Sequence, residues 1–233
     1  MSRSVSYKRH RFPSEIIAHA VWLYFRFLLS LRLIEEMLPA RGILVSHETV
    51  RQWALKFGQS FASQIRRRLP AAGDKWHLDG VVITIVGQKH WLWRAVDQDG
   101  YVLDEIVQTR RDTKAAKRLL KRLLKKQGCP PRRMITDKLG FYATARRQVM
   151  PAVEHRSHKG LNNRAENSHL PLRRRERAMQ GFRSPDGLQR FTSVFSTVRN
   201  LFAPSRSRRS ALATHLHRLA VVAEWKSAAR VPA

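Results

Sequence analysis

Cysteine is almost missing from this chain, with Cys129 alone among 233 residues. One thiol can form neither an internal disulfide nor a cysteine-based zinc site, which excludes a disulfide-stapled or zinc-ribbon framework. Acids are scarce as well: 17 Asp and Glu stand against 45 Lys and Arg, for a net charge of +28. Such a field attracts a polyanion, and the common ones are nucleic acid and anionic membrane. Long apolar runs are also lacking. The best, residues 16–34, is broken by His19, Arg26 and Arg32 and fails as a membrane span. The chain opens with Arg3, Lys8, Arg9 and Arg11 but shows no small-residue cleavage site, so no secretory leader is expected. What is present is 43% hydrophobic residues, enough for one good core and a small second domain. These features describe a cytoplasmic, nucleic-acid-binding protein.

Three regions follow: residues 1–65, 66–204 and 205–233. In the first, residues 30–38 place Leu31, Ile34 and Leu38 on one helical face, and Pro39 and Gly42 break the pattern. Ser46 then caps a second helix carrying Val50, Trp53, Ala54 and Phe57 at helical spacing. Helix, glycine-bearing turn and helix outline a helix-turn-helix, whose outward face would offer His47, Arg51, Gln52 and Lys56 to phosphates and base edges. A plain helical hairpin has the same spacing; the net charge turns the balance toward DNA.

Residues 75–155 change character. "KWHLDGVVITIV", "HWLWRAV" and "YVLDEIVQ" are β-branched and aromatic runs separated by the turns "GQK" and "DQDG". A basic helix over 113–127 carries Ala116, Leu119, Leu120, Leu123 and Leu124 as its apolar stripe, and "MIT" forms a buried strand ending at Asp137. Another helix and a short strand near 152–155 come next. The pattern predicts an α/β sheet of three antiparallel strands with the fourth parallel to the first. Beyond Asn162 the chain is helical, with a kink or restart at Pro171. Ser184-Pro185-Asp186 opens a helix bearing Leu188, Phe191, Phe195, Val198 and Phe202, a stripe suited to a core or a dimer seam. "PSRSRRS" is a polar linker before a last amphipathic helix over 210–225.

Most acids are explained by turns and helix starts, but three are not. Asp79 lies within a strand of apolar neighbours, where an ionised carboxylate is costly unless it is paired or bound to metal. Asp137 ends the strand expected to lie parallel to the first, at the edge where α/β sheets place their chemistry. If those strands pair, the two aspartates converge, and a divalent cation relieves their repulsion. Glu166, from the helix after the sheet, would supply a third ligand, with Leu170, Arg173 and Arg177 in a narrow sector below it. Asp137 as a helix cap and Glu166 as an arginine partner are the plainer readings of each residue alone.

"KWHLD", "ITDKLGFY" and "VEHRSHKGLNNRAENSHLPLRRRER" closely resemble the insertion-sequence transposases of the IS-six family. The likeness runs from the helix-turn-helix to beyond Phe182. It implies a ribonuclease-H-like catalytic domain after an all-α DNA-binding domain, with Asp79, Asp137 and Glu166 as catalytic triad and metal ligands. It further implies two Mg²⁺ ions, with Mn²⁺ able to substitute, and DNA partners in the element's terminal inverted repeats and its target. A homodimer or higher oligomer on DNA, located with the bacterial nucleoid, is implied too. Arg173 takes the place of the family's basic residue for terminal DNA. Lys138, Arg174 and Arg177 join Arg51, Gln52 and Lys56 as expected DNA contacts.

One departure stands beside the chemistry. The family motif usually has an acid after the first aspartate, and this chain has Gly80. Alternation along a strand points position 80 away from the metal face, so an acid there would brace the strand, and Gly80→Glu is expected to raise stability and transfer rate. Gly80 keeps open a remnant that only binds DNA. His77, His155, His158 and His169 invite a zinc or iron site, but no helix-borne histidine motif supports one.

Overall fold

The computed structural model describes residues 5–68, 73–203 and 210–231. It divides into two compact units, residues 1–69 with 193–233, and residues 70–192.

The first unit is helical. After α1 (Ser14–Arg26), α2 (Leu31–Met37) starts at Ser30, whose Oγ accepts from the Leu33 amide at 3.1 Å. A turn through Pro39–Arg41 ends at Gly42 with φ of 71°, a left-handed conformation that glycine adopts without side-chain strain. Ser46 Oγ then accepts from the Thr49 amide and opens α3 (His47–Arg66). Val50, Trp53, Ala54 and Phe57 are all buried, so the expected helix-turn-helix outline is present. The last helix, α9 (Ala211–Ala229), returns to α3: Trp225 meets Phe61 edge-on at 5.4 Å, and the Tyr7 hydroxyl donates to the Ala229 carbonyl. The linker "PSRSRRS" falls, except for its last serine, outside the described residues.

The second unit carries a five-stranded sheet in the order β3-β2-β1-β4-β5. β1 (Lys75–Ile85), β2 (Gln88–Asp97) and β3 (Val102–Gln108) are antiparallel. α4 (Thr113–Gln127) then crosses over to β4 (Arg133–Thr136), which pairs parallel to β1. Asp112 Oδ1 caps α4 through the Ala115 amide, and Gly128 ends it at φ 77°. Ala116, Leu119, Leu120 and Leu123 are completely buried against Trp76, Leu78 and Trp93. α5 (Gly140–Val149) follows, and β5 (Glu154–Ser157) pairs parallel to β4, two residues later than the sequence pattern predicts.

Three further helices complete the description. α6 (Asn163–Ser168) and α7 (Leu170–Ala178) are separate, broken at His169 with Pro171 in the first turn of α7. The restart expected at Pro171 is therefore real. Glu166 and Arg173 therefore sit on two helices that meet at His169, itself in the right-handed helical region. In α8 (Pro185–Phe202), Leu188, Phe191, Phe195 and Val198 are buried as core.

Gly80 pairs with Trp93, and a side chain there would start 3.6 Å from the indole, on the face opposite Asp79. That face also holds the buried Trp76 and Leu78, which supply no cation for a carboxylate. The gain expected from Gly80→Glu thus belongs to alanine, whose methyl group fits at ordinary contact distance. Gly80→Ala should stabilise the protein by about 0.5–1 kcal/mol by restricting the backbone. Chemical denaturation measures this, and a lower midpoint would show the site to be too tight.

Candidate active site

Strand register determines where the acids meet. The last β1–β4 pair is Leu78 with Thr136, so Asp79 and Asp137 follow at adjacent positions where that pairing ends. Asp79 is 9% exposed. Burial pushes its carboxyl above the ordinary value of 3.8; the charges of Asp137 and Glu166 push it further, while a hydrogen bond from the Gly80 amide opposes them. Asp137 is also raised, first by burial, with the Leu139 amide and Arg111 opposing and Glu166 adding to the rise. Asp137 is not the N-cap of α5: that position is Leu139, and the Leu139 amide reaches Asp137 Oδ1 only at 3.4 Å. Glu166 lies in the first turn of α6 with its side chain exposed. The charge of Glu166 thus bears on both aspartates.

They are not drawn together as a finished chelate. Among the described residues no three His, Cys, Asp or Glu side chains form a ready metal cluster. Nearby groups stand against the aspartates instead. Arg111 Nη2 donates to Asp137 Oδ2 at 3.4 Å while its guanidinium lies 4.6 Å from the centre of the Trp91 ring. His169 Nε2 stands 3.5 Å from Asp79 Oδ2. Burial, then the charges of Arg94 and Arg173, hold that imidazole neutral, well below the usual histidine range. Below the aspartates, the Tyr142 hydroxyl is buried with no hydrogen-bond partner among the described residues. The donor set is all oxygen and includes two carboxyls whose charged forms are disfavoured, a chemistry that fits a hard divalent cation.

The four histidines do not gather. His155 Nε2 is engaged with Thr136 Oγ1 at 2.9 Å, His158 is exposed, and His169 adjoins Asp79.

The expected DNA contacts lie on α3, α7 and the loop after β4, all exposed except Arg173, which is half-buried. Arg51 bonds Glu48 through Nε and Nη2 at 2.7 and 2.6 Å, and Gln52 donates to the same Glu48 at 2.8 Å. These bonds hold the Glu48 carboxyl down to about 2. Lys56 Nζ meets His10 Nε2 at 2.8 Å, and His47 pairs with Glu35 at 2.9 Å. Lys138, Arg174 and Arg177 are exposed, and Arg173 Nη1 stands 3.6 Å from Glu176. Arg111, Arg94 and Asn162 are the polar residues of this site that sequence reasoning passed over, and His169 was named there only as a candidate zinc or iron ligand. Arg94 carried the same signal as Asp79, a charge inside an apolar strand.

The family model DDE_Tnp_IS240, described as a DDE domain, matches residues 73–205. A transposase for insertion sequence element IS257 in transposon Tn4003 of Staphylococcus aureus is 32% identical over 182 residues, covering 76% of this chain and 81% of the relative. A transposase for the insertion sequence-like element IS431mec of Staphylococcus aureus strain Mu50 matches to the same extent. Among solved structures, the HTLV-2 integrase catalytic core domain in complex with magnesium aligns at TM-score 0.41 and 13% identity, over 61% of this chain and 93% of that one. The BIV integrase catalytic core domain aligns at 0.41 and 12%, over 66% and 99%. Among the described residues no helix is long and apolar enough to cross a membrane.

Proposed function

The chain belongs to the insertion-sequence transposases with a DDE domain, and from that membership we propose that it cuts and joins DNA at the site of Asp79, Asp137 and Glu166. The observation that carries this reading is the strand register, which sets Asp79 and Asp137 at adjacent positions where the β1–β4 pairing ends, with Glu166 near enough to raise both carboxyls. Asp79, Asp137 and Glu166 would hold divalent cations, Mg²⁺ or Mn²⁺, which when bound stabilise the attacking and leaving oxygens of a phosphodiester.

The reaction is two phosphoryl transfers and needs no protein nucleophile. Water breaks the phosphodiester at the element's end and leaves a 3′-OH; that hydroxyl then attacks a target phosphodiester and displaces the next 3′ oxygen. The protein's work is to place DNA and to keep the carboxylates ionised and aimed. Arg111, already on Asp137, is placed to turn toward an incoming phosphate. His169, neutral and against Asp79, limits where that carboxylate can swing.

DNA is the substrate, bound by an oligomer of the chain. The α3 residues Arg51, Gln52 and Lys56 read the element's ends, after Arg51 and Gln52 leave Glu48. Arg51→Ala, Gln52→Ala or Lys56→Ala should weaken end binding, by about 1–3 kcal/mol for a good bidentate base contact. In gel shifts a loss confined to cognate ends marks a base contact; an equal loss on random DNA with a shallower salt slope marks a phosphate contact. No loss on either DNA removes α3 from the interface.

Arg173, with Lys138, Arg174 and Arg177, holds phosphates next to the reacting one. Arg173→Ala should lower transfer and weaken cross-linking to terminal nucleotides, with Mg²⁺ half-saturation unchanged. Unaltered transfer and cross-linking would make Arg173 a solvated surface residue.

A strand-transfer assay on the element's ends, with Mg²⁺, Mn²⁺ or chelator, tests the whole reading. Joined product with either ion and none with chelator is expected. Specific end binding without any product would favour the remnant, which the family match and the relatives' names do not favour.

A further inference from the structure

α6 has six residues, too few to hold a helix by its own hydrogen bonds. Something else must fix Glu166 above the sheet. Two buried polar contacts lie one at each end of α6. At its start, Asn162 is completely buried and donates from Nδ2 to the Leu78 carbonyl at 2.9 Å, immediately before Asp79. At its end, Arg94 Nη1 donates to the Ser168 carbonyl.

Arg94 is itself held. It is 1% exposed, and its Nε and Nη2 both reach Glu105 Oε2, at 3.0 and 2.8 Å. Asp79, Arg94 and Glu105 lie directly opposite one another across β1, β2 and β3, so they share one face in one row. A lone charge on that face would be costly; Glu105 compensates Arg94 and leaves its third arm for α6. The other Glu105 oxygen has no hydrogen bond among the described residues, so Glu105 is committed to Arg94.

We propose that the Arg94–Glu105 pair and Asn162 are positioning residues that clamp both ends of α6 to the sheet and so set Glu166 against Asp79. This rests on the reading of Glu166 as a metal ligand. The clamp leaves the Glu166 side chain free and fixes the backbone that carries it, so its loss misplaces a ligand without removing one. Partners that orient ligands in this way typically matter by about 10–100-fold in metal affinity or activity.

The test uses the full chain in three measurements: hydrogen exchange without metal, Mg²⁺ half-saturation of strand transfer, and melting temperature. Arg94→Met/Glu105→Leu replaces the ion pair by apolar side chains, an exchange that buried pairs often tolerate without loss of stability. It is expected to melt near the wild type while α6 amides exchange faster than those of β1 and β2. Its Mg²⁺ half-saturation should rise about 10–100-fold, with partial recovery at high Mg²⁺. Unchanged α6 exchange and half-saturation would overturn the clamp and make the pair an element of the core. Asn162→Ala, which leaves the Leu78 carbonyl without this donor and so melts lower, carries the same exchange and half-saturation expectations and decides the matter by itself if the double variant does not fold. Glu166→Gln run alongside separates the two readings. If it retains transfer, the assignment of Glu166 fails; if it abolishes transfer while the clamp variants behave as wild type, only the clamp fails.

Discussion

Asp79→Asn, Asp137→Asn and Glu166→Gln should each lower strand transfer by on the order of 10³-fold or more, with binding to the element's ends nearly unchanged. Each substitution removes a carboxylate charge and keeps the side chain's shape. A metal-held phosphoryl transfer draws several kcal/mol of transition-state stabilisation from its ligands, and each 1.4 kcal/mol or so is a factor of ten in rate. The α3 face proposed to bind the ends belongs to the other unit, which is why affinity should survive. Groups that act as one site are not additive, so Asp79→Asn/Asp137→Asn should be little worse than the more damaging single variant. Single-turnover joining of labelled ends measures all of this. Any one variant that joins at close to the wild-type rate takes its residue out of the site.

The three antiparallel strands were legible because each is a β-branched or aromatic run bounded by short turns. β1, β2 and the helix at Thr113–Gln127 appear where the pattern predicts them, and β4 pairs parallel to β1 as the crossover requires. That was sufficient to bring Asp79 beside Asp137. The supports of these acids were not legible, since they depend on register and on residues far apart in the chain. Asp104 and Glu105 read as one acidic dipeptide, yet successive strand residues face opposite ways. Asp104 bonds Arg122 and Lys126, whereas Glu105 bonds Arg94 on the face of Asp79. The return of α9 to α3 carries no local signal either: an amphipathic pattern shows that a face is buried but not against what. Likewise Pro171 predicted a break, but only the folded chain places His169, at that break, against Asp79.

That same aspartate should make the metal-free protein less stable at neutral pH than its own inactive variant. Asp79 and Asp137 have folded-state pKa values above the ordinary 3.8, chiefly from burial. The native state therefore holds their protons more tightly than the unfolded chain does. The stability this gives is complete below about 3.8 and is lost as pH rises through the raised folded values. Above that window both groups are ionised in a partly buried site at a cost that asparagine does not bear. In chelator, Asp79→Asn should melt above the wild type at pH 7, and the difference should vanish toward pH 3. Comparing the two proteins isolates Asp79 from acids with the opposite trend, such as Asp104, which Arg122 and Lys126 hold below its ordinary value despite burial. Mg²⁺ should reverse the order. At 100 times its dissociation constant a ligand that binds only the folded state adds about 2.7 kcal/mol, and the variant, short of one ligand, should gain little. Melting curves at pH 3 and pH 7, with chelator and with Mg²⁺, give the four comparisons. If the wild type melts higher at pH 7 in chelator, the cation at Arg111 and the Gly80 amide already neutralise the site, and burial does not govern its charge.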